Sequence, residues 1–108
     1  MKTEKILLTT TILALVALSR FRFVSFLGGV PAAGVAVLGV ATTGFDVGEQ
    51  AGVNTHGEIL VEAGAAITIG AEVESDATGR AVTKTTGVAF GRARDAAAAA
   101  GDIIRVLK

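Results

Sequence analysis

From Gly57 to its end the chain is a series of short β-type runs, nearly all broken by glycine: GEILVEAGAAITIGAEVESDATGRAV, then GVAFGRAR, then GDIIRVLK. Breaks this frequent leave no room for a long helix, and the Ile and Val within the runs favour extended backbone. No run carries a cluster of polar residues suited to chemistry. The sequence therefore predicts an all-β domain, a compact scaffold that works through its surfaces rather than through a reactive pocket.

With 108 residues the chain has room for one domain. Half of it is apolar, yet it has no Trp, no Tyr and five Phe, so the core must come mainly from Val, Ile, Leu and Ala. Small side chains bury little area, and a domain of this length gains from oligomerising or docking onto a larger body. The absence of cysteine excludes disulfides and thiolate metal sites. A net charge of zero argues against nonspecific nucleic-acid binding. The charges are segregated nonetheless. Residues 28–79 hold seven acids and no Lys or Arg, whereas the segment from Arg80 onward holds six basic residues and two acids. This pattern suits either a solvated surface or complementary contacts between segments, including segments of neighbouring subunits.

The N-terminus places Lys2 and Lys5 before an apolar run, Ile6 to Leu18, with Arg20 and Arg22 after it. Basic start and apolar middle resemble a secretory signal over residues 1–19, and the run is too short to span a membrane. Three consecutive threonines favour instead an extended arm or a first strand, lying on the chain's own barrel, on a sister subunit or on another protein. The division expected is an arm over residues 1–20 and a β domain over 21–108. The contact residues expected on the arm are Lys2, Lys5, Ile6, Leu7, Leu8, Ile12, Leu13 and Leu15, with Arg20 and Arg22 at its end. A short helix over Ile12 to Leu18 is the other conformation that its Leu and Ala allow.

Further along, strands are predicted at Phe21–Phe26, Val35–Ala41, Gln50–Val53, Glu58–Ala63, Val88–Arg94 and Ile103–Leu107, with Asn54–Gly57 as a turn. Glu72-Val73-Glu74 leads into a hairpin turn at Ser75–Gly79, and both glutamates are expected on a solvent-facing edge. Asp95–Gly101 reads as a compact connector. His56 is the single histidine, so it does not make a metal site. Glu58 with Glu62, and Glu72 with Glu74, are better read as surface charge than as an acid/base pair. No nucleotide-binding glycine fingerprint, nucleophile elbow or catalytic cysteine is present.

The pieces FVSFLGGVPAAG, VAVLGVATTG, HGEILVEAGAAITIGAEVESDATGRAV and GVAFGRARDAAAAAGDIIRVLK, in this order, resemble small phage head-decoration (cement) proteins. The resemblance covers about four-fifths of the chain, Val24 to Lys108, and rests on glycine turn patterns rather than reactive residues. It implies a β-barrel-like or β-tulip domain, usually a homotrimer, on the outer surface of an icosahedral capsid. It also implies an N-terminal arm that reaches the major capsid protein or a neighbouring subunit. It implies no catalytic residue and no cofactor. The expected function is a structural virion protein that bridges capsid subunits. The alternatives are a secreted or periplasmic β module that uses residues 1–19 as a signal, and a small enzyme or ligand-binding barrel.

Overall fold

The computed structural model describes residues 3–108. Among the described residues, eight strands form one antiparallel, nearly closed sheet and there is no helix. They are β1 (Lys5–Leu13), β2 (Phe23–Ser25), β3 (Val37–Ala41), β4 (Gln50–Glu62), β5 (Glu72–Ser75), β6 (Ala81–Thr83), β7 (Gly91–Ala93) and β8 (Ile103–Leu107). The order along the sheet is β2-β3-β4-β8-β7-β5-β6, with β1 added to β4. The two ends of this path meet. Phe23 N–H of β2 donates to Gly79 O, just before β6, at 2.7 Å, and β6 is also held to the segment after β4, where Gly64 N–H donates to Ala81 O at 2.8 Å. Closure of this kind hides the backbone edges of the short strands β2 and β6.

The all-β expectation holds, and the physical reason is visible in β4. Ile59, Val61 and Ala63 are buried while Glu58, Leu60 and Glu62 are half-exposed, the period of two that a half-buried strand requires. Inside the barrel, Ile59 and Val61 pack with Phe23, Val73, Phe90, Ile104 and Val106. The rings of Phe23 and Phe90 lie 5.1 Å apart and tilted, a favourable aromatic geometry. A second, smaller core joins Ala14, Leu18, Val24, Ala41, Ala51 and Val53.

Two local expectations need correction, and one alternative does not form. Asn54–Gly57 is not a turn: β4 runs unbroken for 13 residues. Polar residues survive in mid-strand because β1 satisfies them. Thr9 Oγ1 donates to Asn54 Oδ1 at 2.8 Å, and Thr55 Oγ1 to Leu8 O at 3.2 Å. The alternative helix over Ile12–Leu18 does not form. Ile12 and Leu13 complete β1, and Leu18 makes a bridge to Phe45. The second correction is Glu74, which is buried rather than solvent-facing, at 5% exposure. Its Oε1 accepts from Thr85 N–H at 2.7 Å and from Thr85 Oγ1 at 3.1 Å. These bonds pin the segment after β6 across a cleft of about 620 Å³ lined by Gly34, Glu74, Thr85 and Gly87. Glu74 Oε2 and Gly34 both crowd the face of Gly87 where a side chain would stand. Gly87→Ala is expected to cost about 1–3 kcal/mol, read as a lowered midpoint in denaturant melts.

The segregated charges are used within one chain. Glu62 accepts from Arg22 at 3.2 Å and Arg80 at 3.3 Å, Arg92 meets Glu72 at 3.2 Å, and Arg94 meets Glu58 at 3.3 Å. Each such pair contributes at most about 1 kcal/mol, but together they fix which segments lie side by side.

The hairpin at Ser75–Gly79 forms as predicted, with Gly79 at φ 82°. Asp76 Oδ1 accepts from Thr78 N–H, Thr78 Oγ1 and Arg80 N–H at 2.8–2.9 Å. Burial alone would raise the Asp76 carboxyl; the hydrogen bonds from Arg80 and Thr78, with the Arg80 charge, outweigh it and hold the carboxyl below its ordinary value. A lowered folded value means that the carboxylate stabilises the fold above the unfolded pKa of about 3.9, and that this contribution disappears as pH falls through the folded value. Thermal melts of Asp76→Asn and the native chain should therefore differ at pH 7 and converge in acid.

Candidate functional site

The segment read as an arm or first strand is a strand of its own chain. β1 pairs antiparallel with β4, from Lys5 opposite Glu58 to Leu13 opposite Gln50. It therefore has a partner within the described chain. Ala14 and Leu18, at 1% and 4% exposure, continue into the smaller core. The segment weighed as a signal thus supplies a strand and two core side chains.

The strand sorts the expected contact residues. Ile6 packs against the barrel core and Ile12 against the smaller one. Arg22 is bound to Glu62 and to Thr78 O. Arg20 is exposed and lies over the Phe21 ring, 4.5 Å from its centroid. Lys5, Leu7, Leu8, Leu13 and Leu15 are exposed. Lys2 lies outside the described residues. Leu7 stands at an irregularity in the β1–β4 register and is 82% exposed; an unpaired residue in a bulge is thrust out of the ladder.

Residues that the sequence reading did not single out extend this surface. The β2–β3 loop, Phe26–Gly29, folds back on the end of β1. Gly28, at φ 92°, allows the turn, and Leu15 N–H donates to Gly28 O at 3.0 Å. Leu13 O fills the place where a Gly28 side chain would stand. On the other flank Gly48 N–H donates to Ala14 O at 2.8 Å, bringing Val47 alongside. Leu13, Leu15, Val16, Phe26, Leu27 and Val47 thus gather on one end of the molecule. Leu27 is 80% exposed, Val47 66% and Phe26 61%. Two large apolar residues directly before Gly28-Gly29 were the available signal, since a turn rarely places such side chains inward.

The exposed side chains gathered here are apolar. Among the described residues no three His, Cys, Asp or Glu side chains gather to hold a metal. His56 is exposed, with Nδ1 3.1 Å from Thr55 Oγ1. What the site offers is apolar area. Covering six such side chains returns roughly 5–10 kcal/mol before ordering costs, and exposed apolar patches of this kind mark interaction surfaces.

Fold and surface together describe a small β-barrel protein with large apolar side chains left in solvent. The chain belongs to the phage cement proteins, whose family model matches residues 1–107. It is a structural protein of the phage virion, placed on the outer surface of the capsid. Among solved structures it is similar to the N base of the head fiber gp8.5 of bacteriophage phi29. The two share 22% identity with a TM-score of 0.75, over 94% of this chain and 93% of that one. That likeness is one of fold. No curated protein matches the chain in sequence.

Proposed function

We propose that the protein stabilises the shell by bridging subunits of the major capsid protein, and that it docks through the apolar end built from β1 and the β2–β3 loop. The observation that carries this reading is the grouping of Leu13, Leu15, Val16, Phe26, Leu27 and Val47 in solvent, with Leu7 and Leu8 further along β1. A bridge needs no reaction, and no enzymatic activity is proposed. A protein that binds assembled subunits and not dispersed ones stabilises assembly by mass action. Lys5, at the start of β1, and Arg20, after its end, add positive charge along the same segment, which favours an acidic shell surface and speeds encounter.

We also propose that three copies act together as a homotrimer. Its support is the apolar surface left exposed on so small a body; charge pairing between subunits, which the sequence suggested, is largely consumed inside one chain. Light scattering on the particle-free protein should give three times the 10.8 kDa chain mass. The decisive experiment for the bridge adds purified protein to undecorated shells. Saturable binding with a raised temperature of shell disruption supports it, whereas binding without any gain in shell stability refutes bridging.

A further inference from the structure

The outer edge of β1 is open, and its geometry follows from bonds elsewhere. β1 has β4 on one side and no strand on the other among the described residues. In an antiparallel strand, the N–H and C=O of one residue point to the same side, and the side alternates along the chain. Gly52 O accepts from Thr42 N–H at 3.0 Å on the flank away from β1. Thr11, opposite Gly52, and Thr9, opposite Asn54 two residues on, therefore turn their own N–H and C=O outward. The alternation continues past the strand. Ala14 N–H points inward to Glu49 O, and Leu15 N–H points outward to Gly28 O.

The outward groups of Leu13 and Leu15 are covered by the β2–β3 loop, and the Leu7 bulge interrupts the other end. Between them Thr9 and Thr11 present two outward pairs of backbone donor and acceptor, and both residues are exposed. Nothing guards this stretch. From Ile6 to Ser19 there is no charge, proline or glycine, the devices by which proteins protect an edge strand.

We propose that Thr9 and Thr11 receive an extended segment of the shell protein as an added β-strand. The proposal rests on the docking reading above and names the contact within it. A backbone edge is recognised by another backbone, so its occupant is an extended peptide. Thr9–Ile12 spans about 14 Å, room for a run of roughly four or five residues. A second copy of this chain suits the edge poorly. Its β2 and β6 edges are already taken up in closing the barrel, leaving only its own β1. Two β1 strands paired about a two-fold axis would drive the Leu7 bulge of each against the Phe26–Gly29 loop of the other. A separate shell segment carries neither obstacle, and apolar side chains on it would meet Leu7 and Leu8 at one end and Leu13 and Leu15 at the other.

The test is residue-resolved amide exchange of the full chain, free and on shells, together with the variant Thr11→Pro. Proline there removes an outward N–H and leaves the bonds to β4 intact. Exchange at Thr9 and Thr11 should slow at least about tenfold on shells, and T11P should bind at least about tenfold more weakly with an unchanged circular dichroism spectrum. Should T11P fail to fold, the exchange measurement decides alone. Unchanged exchange at Thr9 and Thr11 in protein bound to shells overturns the proposal while leaving docking intact. So does slow exchange already present in a particle-free dimer, which would assign the edge to a second copy. If the native chain does not bind shells at all, the docking reading falls first and this contact with it.

Discussion

Removal of residues 2–19 is expected to leave a chain that no longer folds cooperatively. The deletion takes away β1 and with it the ladder that covers one flank of β4 from Gln50 to Glu58. It also removes Ala14 and Leu18 from the smaller core, strips Ile6 and Ile12 from the margins of both cores, and bares Ala51 and Val53. Glu4 Oε1, which accepts from Leu60 N–H at 2.9 Å just beyond the ladder, lies in the same segment. Lost apolar burial alone comes to about 5–10 kcal/mol, comparable to the whole stability of an ordinary small domain, about 5–15 kcal/mol. Calorimetry of the truncated chain should show no sharp transition. A cooperative melt close to that of the full chain would mean that residues 2–19 are a dispensable arm after all. Because deletion is expected to unfold the domain, its failure to bind particles would say nothing about where the protein docks.

Point substitutions on the exposed end avoid that difficulty. The double change Phe26→Ser with Leu27→Ser removes two side chains that are 61% and 80% exposed in the free protein. They contribute little to the fold, so the melting behaviour should change by no more than about 0.5 kcal/mol each. On a shell, the same side chains would be covered. Losing about 2–3 kcal/mol of apolar burial weakens attachment roughly 30- to 150-fold per copy, and a multivalent bridge amplifies the loss. Co-sedimentation with undecorated shells should show near-complete release of the double variant. Ile69→Ser, on the loop after β4 and also exposed at 65%, serves as the control and should bind as the native chain does. If F26S/L27S is retained at full occupancy, another face carries the contact.

Local patterns made much of the fold legible in advance. The alternation in Glu58–Ala63 set the inward face of the second half of β4, and Asp76–Gly79 announced its hairpin. Both depend on neighbours within a few residues, where side-chain period and turn chemistry act. Asn54-Thr55-His56-Gly57 misled for the opposite reason. A polar, glycine-ended tetrapeptide has the composition of a turn. It becomes mid-strand only because Thr9 and Leu8, 45 and 47 residues away, supply its hydrogen bonds. Glu74 likewise matched the spacing of an exposed edge until Thr85 folded over it.

For the site, the sequence by itself determined that the N-terminal run is apolar, unguarded by charge and bound to lie against something. It also carried no cysteine, no second histidine and no recognised catalytic motif. Tertiary structure decided what the run lies against. Pairing with β4 turns Ile6 and Ile12 inward and Leu7, Leu13 and Leu15 outward, a partition that no property of Ile or Leu can set, since both are equally suited to core and interface. The Leu15–Gly28 hydrogen bond then brings Phe26 and Leu27 to the same end from 11 or more residues away. Burial is a property of the closed sheet. A chain with more large apolar side chains than its barrel can enclose shows which of them face solvent only once the barrel has closed.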